Sequence, residues 1–236
     1  LDDGADVVKL YFEDGSIFGE SWNVMTTEEA RMIVKVAHGR GKKVTAHVQE
    51  AYLVEKALDA GVDDICHSQV DEPVPEYLIE RMVEQGMSIV PTLEMSNTWP
   101  PALVTSLVNL ARMVELGVDV GLGTDYSYTF DVEFEVGMPL TEILLMKQGG
   151  MKPMQIIVAG TKNSARVCGL ERELGTIEKG KIADLIVVDG DPLSDLSVLK
   201  HNVVMVIHDG VIIRDDRPRA EPPRRLSGRR PVVGPM

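Results

Sequence analysis

The fold is decided by a strand, a helix and a second strand that follow one another without interruption. The first strand is the run Lys43-Val-Thr-Ala-His-Val48, the helix is Ala51–Ala60, and the second strand is Asp63-Asp-Ile-Cys-His67. Both runs are short and mostly apolar, which predicts strands covered on both faces. Gly61 follows the helix, where a left-handed residue turns the chain back towards the sheet. A strand, a helix and a strand in this order indicate a parallel pair.

The same unit is repeated on both sides of this stretch. Further strands are predicted at Asp6–Phe12, Met87–Leu93 and Val118–Asp125, and further helices at Thr27–Arg40, Val74–Gln85 and Ala102–Leu116. Helical patterns continue at Leu140–Lys147, Pro153–Ala159 and Asn163–Cys168. Five successive βα units predict an α/β fold with a parallel sheet, either closed as a barrel or open.

The pattern changes near residue 171. Residues 175–192 and Val203–Arg214 alternate as antiparallel strands do, and Asp209-Gly210 is a strong hairpin turn signal. The last 20 residues carry Arg and Pro with almost no apolar periodicity, which is typical of a disordered tail. We therefore predict an α/β part over residues 1–170, a small β part over residues 171–216, and a disordered tail over residues 217–236.

The amino-acid composition limits the kinds of molecule that the protein is expected to bind. The 236 residues include 24 Lys and Arg against 37 Asp and Glu, and a net charge of −13 disfavours binding to nucleic acid and to anionic membranes. No apolar run reaches the roughly 18 residues of a membrane span. Two distant cysteines, Cys66 and Cys168, offer no disulfide framework, so we expect a reducing, cytoplasmic location. The chain enters a strand almost directly after Leu1, which we interpret as a cut edge.

Four polar residues lie at the carboxyl ends of predicted strands: Lys9, His47, His67 and Asp125. In parallel sheets and barrels this edge holds ligands and catalytic groups. Two imidazoles and a carboxylate are ligands that Zn²⁺ accepts when cysteine is absent. Lys9 fits such a site only if its charge is removed, or if it pairs with an anionic substrate.

Several motifs in order resemble the amidohydrolase superfamily, in particular its imidazolonepropionase-like and Xaa-Pro dipeptidase-like branch. The resemblance covers about residues 5 to 214. The motifs are Val7-Val-Lys-Leu10, Val44-Thr-Ala-His47, Ile65-Cys-His-Ser68, Gly121-Leu-Gly-Thr-Asp125, Ala159-Gly-Thr-Lys-Asn-Ser-Ala165 and Gly175-Thr-Ile-Glu-Lys-Gly-Lys-Ile-Ala-Asp184. Each motif alone is weak evidence, but their shared order makes the resemblance specific.

The resemblance implies a (β/α)₈ TIM barrel, of which strands 4 to 8 are present here, plus part of a small β-sandwich. It also implies a hydrolase with one or two divalent metal ions, usually zinc. Lys9 matches a lysine that CO₂ carboxylates and that bridges the two metals. His47 and His67 match ligands of one metal. Asp125 matches the aspartate that binds the other metal and takes the proton of the attacking water.

The chain departs from the family pattern in one respect. No His-x-His pair occurs anywhere in it, and the first three barrel strands are not present. An open parallel sheet leaves apolar edges unpaired. We therefore expect a second chain or segment to supply strands 1 to 3, or a homo-oligomer to cover the edge.

The resulting prediction is a metal-dependent amidohydrolase that cleaves the C–N bond of a small amide, cyclic amide or dipeptide by metal-activated hydroxide. The tyrosines Tyr11, Tyr126 and Tyr128 lie near the same strand ends and are candidate substrate contacts, although such aromatic residues also simply cover a barrel mouth. Two alternatives stay open. One is a non-catalytic or degenerate amidohydrolase-like subunit, and the other is a phosphotriester or lactone hydrolase that uses the same metal centre.

Overall fold

Four parallel strands form the first sheet of the chain. The computed structural model describes residues 1–2, 4–126 and 137–217. Within these residues the strands lie in the sheet in chain order: β1 (Val7–Phe12), β2 (Lys43–Val48), β3 (Asp64–Cys66) and β4 (Ser88–Val90). All three neighbouring pairs are parallel, and Tyr11 on β1 lies opposite His47 on β2. The chain is therefore an α/β protein with a parallel sheet, as its sequence predicts.

Helices follow these strands. The first helices are α1 (Thr27–His38), α2 (Leu53–Ala60), α3 (Glu76–Gln85), α4 (Leu93–Ser96) and α5 (Pro100–Leu116). Helices α2, α3 and α5 end at the residues that the sequence predicts, whereas α1 ends at His38, two residues before the predicted Arg40. Thr26 and Glu29 form a reciprocal capping box that begins α1. Three of the helices end at glycines in the left-handed conformation, namely Gly61, Gly86 and Gly117. Glycine adopts this conformation without a steric penalty, so the helix ends are set locally.

The two faces of β2 show how the sheet separates packing from chemistry. Val44, Ala46 and Val48 are fully buried in the hydrophobic core. Thr45 and His47 alternate with them, and His47 lines a cavity on the opposite side of the sheet. Because successive strand residues point to opposite faces, the apolar residues cover one side and leave the other for polar groups.

The fourth and fifth predicted strands are shorter than the sequence pattern indicates. The run Met87–Leu93 gives only β4, and α4 begins at Leu93. The run Val118–Asp125 is not a strand; it contributes one parallel bridge between Val120 and Ile89. The sheet thus has four described strands and one bridge, and its closure into a barrel stays a prediction.

The rest of the described chain contains short helices and a second sheet. The helices are α6 (Leu140–Gln148), α7 (Pro153–Val158), α8 (Ser164–Val167) and α9 (Val198–His201), and a π-helical turn at Ala159–Asn163 joins α7 to α8. The strands β5 (Leu185–Val188), β6 (Val203–His208) and β7 (Val211–Asp215) form an antiparallel sheet. The turn between β6 and β7 is Asp209-Gly210, as predicted.

Three predictions about this second half stay untested. The antiparallel sheet agrees with a small β part, but its place in a β-sandwich and the boundaries at 170 and 216 remain predictions. The predicted tail lies outside the described residues except for Arg217.

In the described part of the chain, no helix has the length and apolar character needed to cross a membrane. Cys66 and Cys168 are free thiols.

Candidate active site

One cavity brings together the four polar residues that the sequence places at strand ends. It has a volume of about 510 Å³ and lies at the carboxyl edge of the parallel sheet. Its wall includes Lys9 from β1, His47 from β2, His67 after β3, and Asp125 beyond the bridge at Val120. Residues up to 116 positions apart in sequence therefore line the same cavity. Their roles as metal ligands or catalytic groups stay predictions.

The two histidines lie against each other. Their ring centroids are 4.5 Å apart, with an angle of 65° between the ring planes. Both side chains are buried, at 7% exposure for His47 and 4% for His67. His67 has a positive φ of 75°, and its backbone N–H donates to the carbonyl of Val90 on β4. The turn after β3 thus brings the second imidazole next to the first.

Both imidazoles are held in the neutral form. Burial lowers the pKa of His47, in spite of the nearby Glu13 carboxylate. Burial, together with the electrostatic influence of the neighbouring His47 and Lys9, lowers the pKa of His67 to about 3. A neutral imidazole has a free nitrogen lone pair, which is the form that binds a metal. Neutral imidazoles are therefore present at this cavity, and the divalent metal that the sequence predicts there stays a prediction.

A hydrogen bond fixes the orientation of His67. Its Nδ1 lies 2.7 Å from the hydroxyl oxygen of Thr92, which follows β4. This bond occupies Nδ1 and leaves Nε2 for a ligand, the arrangement by which outer contacts orient metal-binding histidines. Thr92 itself has a φ of 47°. The sequence signal for Thr92 was its place at the end of the predicted fourth strand.

A buried glutamate on α6 stabilises the turn that follows Thr92. The two carboxylate oxygens of Glu142 accept hydrogen bonds from the backbone N–H groups of Leu93 and Glu94, at 3.0 and 2.7 Å. These N–H groups begin α4, so the carboxylate caps that short helix. Burial raises the pKa of Glu142 to about 8, against the effect of the two donors. Sequence reasoning missed Glu142 because its partners lie nearly fifty residues away.

Strand β1 contributes Lys9 and Tyr11 to the cavity wall. Tyr11 stacks on His47 with ring centroids 4.1 Å apart and an interplanar angle of 16°. It is 54% exposed, so much of its ring faces the open cavity. Lys9 is exposed on the same face of the strand. The prediction that Tyr11 contacts substrate agrees with this position but is not tested by it.

The other two candidate substrate contacts are Tyr126 and Tyr128. Tyr126 directly follows Asp125 and is 41% exposed, but its side chain is not part of the described cavity wall. Tyr128 lies outside the described residues. Of the three candidate substrate contacts, only Tyr11 is therefore placed in the cavity.

Three residues around the cavity have a strained backbone. His67, Thr92 and Asp125 have φ values of 75°, 47° and 55°, in the left-handed region that favours glycine. Each such residue costs on the order of 1–3 kcal/mol. Strain of this kind is concentrated at functional sites because side chains must be aimed where a relaxed backbone would not place them. All three lie where the chain leaves the carboxyl edge of the sheet.

Two buried glutamates near His47 were also missed by sequence reasoning. Oε2 of Glu13 lies 3.4 Å from Nε2 of His47, and Glu13 is 2% exposed. Glu50, three residues after His47, is fully buried. Burial and the neighbouring carboxylates of Glu13 and Asp14 raise the pKa of Glu50 to about 9. The available signal was that Glu13 directly follows β1 and that Glu50 lies two residues after β2, next to the strand ends that carry the site.

Solved structures and curated sequences agree with this arrangement. The structure is similar to the crystal structure of a Xaa-Pro dipeptidase with methionine bound in its active site, with a TM-score of 0.75 and 31% identity. This similarity covers 90% of the present chain and 55% of the dipeptidase chain. The sequence is 29% identical over 173 residues to an imidazolonepropionase from Symbiobacterium thermophilum, covering 73% of this chain and 39% of that enzyme.

A third relative shares a shorter region. A 5-methylthioadenosine/S-adenosylhomocysteine deaminase from Moorella thermoacetica is 38% identical over 92 residues, which is 37% of this chain and 22% of the deaminase. The chain thus spans about half the length, or less, of the proteins that it matches. The model of the amidohydrolase family matches residues 1–213. With nearly the whole chain matched by that family, and with its polar strand ends gathered in one cavity, the protein belongs to the amidohydrolase family.

Proposed function

We propose that this chain is the carboxyl-terminal portion of a metal-dependent hydrolase that cleaves the C–N bond of a small amide, cyclic amide or dipeptide. The observation that carries the proposal is the shared cavity, in which two neutral imidazoles lie beside Lys9 and Asp125. Family membership supports a hydrolase acting on C–N bonds. The names of the relatives, which include an imidazolonepropionase and a Xaa-Pro dipeptidase, support the same class of bond.

The residues that would hold the metal are His47, His67, Lys9 and Asp125. Two nitrogen donors and a carboxylate suit zinc better than magnesium or calcium, which prefer oxygen. Lys9 contributes as a carboxylated side chain, because an ammonium group would repel the ion. One or two divalent ions, when bound, supply a water of lowered pKa and a Lewis acid for the substrate carbonyl.

The chain's own groups account for proton transfer and orientation. Asp125 accepts the proton of the attacking water and returns it to the leaving nitrogen. Thr92 holds His67 through Nδ1, so that the imidazole cannot rotate away from the cavity. Tyr11, stacked on His47, presents an open ring face and a hydroxyl group to a substrate. Tyr126 and Tyr128 remain candidates for further substrate contacts.

The size and lining of the cavity favour a small substrate. A volume of about 510 Å³ lies within the range of ligand pockets, roughly 300–1,000 Å³. One wall is apolar and includes Phe18, Met95 and Trp99. An amide or dipeptide with an apolar side chain fits such a wall. The polar strand ends would then face its C–N bond.

The complete enzyme needs strands that this chain does not contain. We propose that β1 to β4 belong to a (β/α)₈ barrel, and that a preceding segment with a His-x-His pair supplies the missing strands and a second set of imidazoles. That segment is either a separate chain or part of a longer one. Alternatively, a second copy of this chain covers the open edge of the sheet in a homo-oligomer. A non-catalytic subunit is the second candidate function, favoured by the lack of His-x-His in the sequence.

Metal analysis of purified protein tests the proposal. The wild-type chain should retain zinc after dialysis, and the His47→Ala, His67→Ala double variant should lose it. The matched control is His201→Ala, His208→Ala, which changes two histidines of the second sheet region. Loss of zinc in the first variant alone supports the site. A wild-type chain free of metal, or equal zinc in both double variants, would contradict it.

A further inference from the structure

Three carboxylates meet beside the cavity, at the loops that follow β1 and β2. They belong to Glu13, Asp14 and Glu50, and each offers one oxygen within 4.8 Å of the others. Glu13 and Glu50 are buried, and Asp14 is partly buried. Carboxylates at this distance repel each other strongly in a water-poor environment. The cluster therefore needs either protons or a positive charge.

Glu50 is the group that lacks a partner. Both of its carboxylate oxygens are buried, and among the described residues neither receives a hydrogen bond. The contrast with Glu142 is informative, since that equally buried carboxylate accepts two backbone hydrogen bonds. Burying a carboxyl group without a partner costs several kcal/mol. The two buried oxygens of Glu50 have no hydrogen-bond donor in the described chain and lie close to two other carboxylates, which indicates a ligand between the three side chains.

The other two carboxylates are already positioned. Glu13 accepts a hydrogen bond from the N–H of Gly15 at 2.8 Å, and Asp14 accepts one from the N–H of Ser16 at 2.7 Å. The hydroxyl of Tyr52 donates to the second oxygen of Asp14. In the described part of the chain, no Lys or Arg forms an ion pair with these three acids, and the basic side chain that contacts one of them is His47, whose Nε2 lies 3.4 Å from Oε2 of Glu13. The described part of the protein thus supplies no Lys or Arg side chain to neutralise this cluster.

We propose that Glu13, Asp14 and Glu50 bind a hard divalent cation of the magnesium, manganese or calcium class. An all-oxygen donor set selects such ions, whereas zinc prefers the imidazole nitrogens of the neighbouring cavity. Two ligands come from the loop after β1 and one from the loop after β2. The bound ion would join these two loops.

The loops in question form part of the cavity wall. Ile17 and Phe18 follow Glu13 and Asp14 in one loop, and Gln49 precedes Glu50 in the other. Glu13 also touches His47. A cation at this position would therefore brace the rim of the cavity without occupying it, and its loss would loosen the support of His47.

Terbium luminescence is a direct test, because Tb³⁺ takes the oxygen sites of calcium and is excited through a nearby tyrosine. Tyr52 lies against Asp14 and serves as the donor. The full 236-residue chain, titrated with Tb³⁺, should give saturable emission that Ca²⁺, Mn²⁺ or Mg²⁺ displaces. The order of displacement identifies the preferred ion.

Variants locate the binding. Glu50→Gln should weaken Tb³⁺ binding by about 100-fold, because one of three charged ligands is lost. Asp14→Asn, at a partly exposed position, should weaken it similarly. Glu142→Gln is the matched buried control, and the exposed Glu84→Gln on α3 controls for the loss of one surface charge; both should bind as the wild type does. Absence of saturable emission, or emission unchanged in Glu50→Gln and Asp14→Asn, would overturn the proposal.

Discussion

The two sheets of this chain are covered to very different extents. In the parallel sheet, Ile65 on β3 and Ile89 on β4 are fully buried. In the antiparallel sheet every residue of β7 is exposed, and Ile213 keeps 64% of its surface in contact with solvent. Both sheets are rich in β-branched residues, so the difference does not come from strand propensity. It comes from the helices, which pack against the first sheet.

Strand β1 is the exception within the parallel sheet. Its residues Val7 and Tyr11 are 46% and 54% exposed, while its neighbour β2 is almost wholly buried. β1 pairs with β2 on one side only. The exposed strands β1 and β7 therefore present apolar surface to solvent. The predictions below test whether this exposure marks missing partners.

The largest effect is expected from adding an amino-terminal segment that carries His-x-His. Co-expression of that segment with this chain should raise amide hydrolysis by at least on the order of 100-fold, because under the proposed function it would complete the ligand set of a second metal. Zinc content should rise in parallel from one ion at most to about two per chain. Amidase assays and metal analysis of the purified complex measure both.

The same experiment reports on the exposed strands. In hydrogen exchange, the backbone amides of β1 and β7 should become protected in the complex, while those of β2 should change little. A monomeric 236-residue chain that already holds two metal ions and full activity would show that β1 needs no partner.

A pair of isoleucine substitutions measures the contrast between the sheets. Ile65→Ala removes a fully buried side chain and should lower the free energy of unfolding by about 2–5 kcal/mol. Ile213→Ala, on β7, should change it by less than about 0.5 kcal/mol. Urea denaturation of both variants gives the two values. Equal losses would mean that β7 is buried in solution, for example in a homo-oligomer.

The buried acid on α6 gives the parallel part a distinctive pH dependence. Glu142 has a pKa of about 8 in the folded chain against 4.5 in its reference state, so it stabilises the fold most below pH 4.5, and this contribution is lost as the pH rises through 8. Relative to Glu142→Gln, the wild type should lose up to about 1.4 kcal/mol of unfolding free energy per pH unit between pH 5 and 7.5.

Urea denaturation at these two pH values checks the sign. The exposed Glu84→Gln variant on α3 controls for the removal of one surface charge. If the difference between wild type and Glu142→Gln is constant across the range, the buried carboxyl does not take up a proton on folding.

The smallest effect is expected from the carboxyl terminus. Truncation after Asp216 removes an Arg- and Pro-rich stretch without an apolar face, so the thermal midpoint should stay within about one or two degrees of the full chain. Differential scanning calorimetry of both proteins is sufficient. A decrease of more than a few degrees would show that the tail packs on the exposed antiparallel sheet or on a partner.

Local signals in the sequence were enough for helices α1, α2, α3 and α5 and for most of the parallel sheet. The capping box at Thr26 and the glycines that end α2, α3 and α5 act within a few residues, and the structure follows them. The shared cavity of Lys9, His47, His67 and Asp125 was also predictable, since parallel strands present their carboxyl ends at one edge.

The remaining features depend on contacts between distant residues. The predicted strand Met87–Leu93 gives way to a helix that begins at Leu93. This helix begins there because the carboxylate of Glu142 accepts hydrogen bonds from its first two backbone N–H groups. The predicted strand at Val118–Asp125 keeps a single bridge. The approach of Glu50 to Glu13 joins loops 37 residues apart, and no periodicity in the chain reports it.

The positive φ of Asp125 has a consequence for how such a chain responds to selection. Asp125 is exposed, so its side chain contributes little packing, while its left-handed backbone costs on the order of 1 kcal/mol that glycine would not incur. Asp125→Gly should therefore raise the melting temperature and remove the residue proposed for proton transfer. A library screened for heat resistance alone would be enriched in this replacement, so directed evolution of this scaffold must select for turnover in every round.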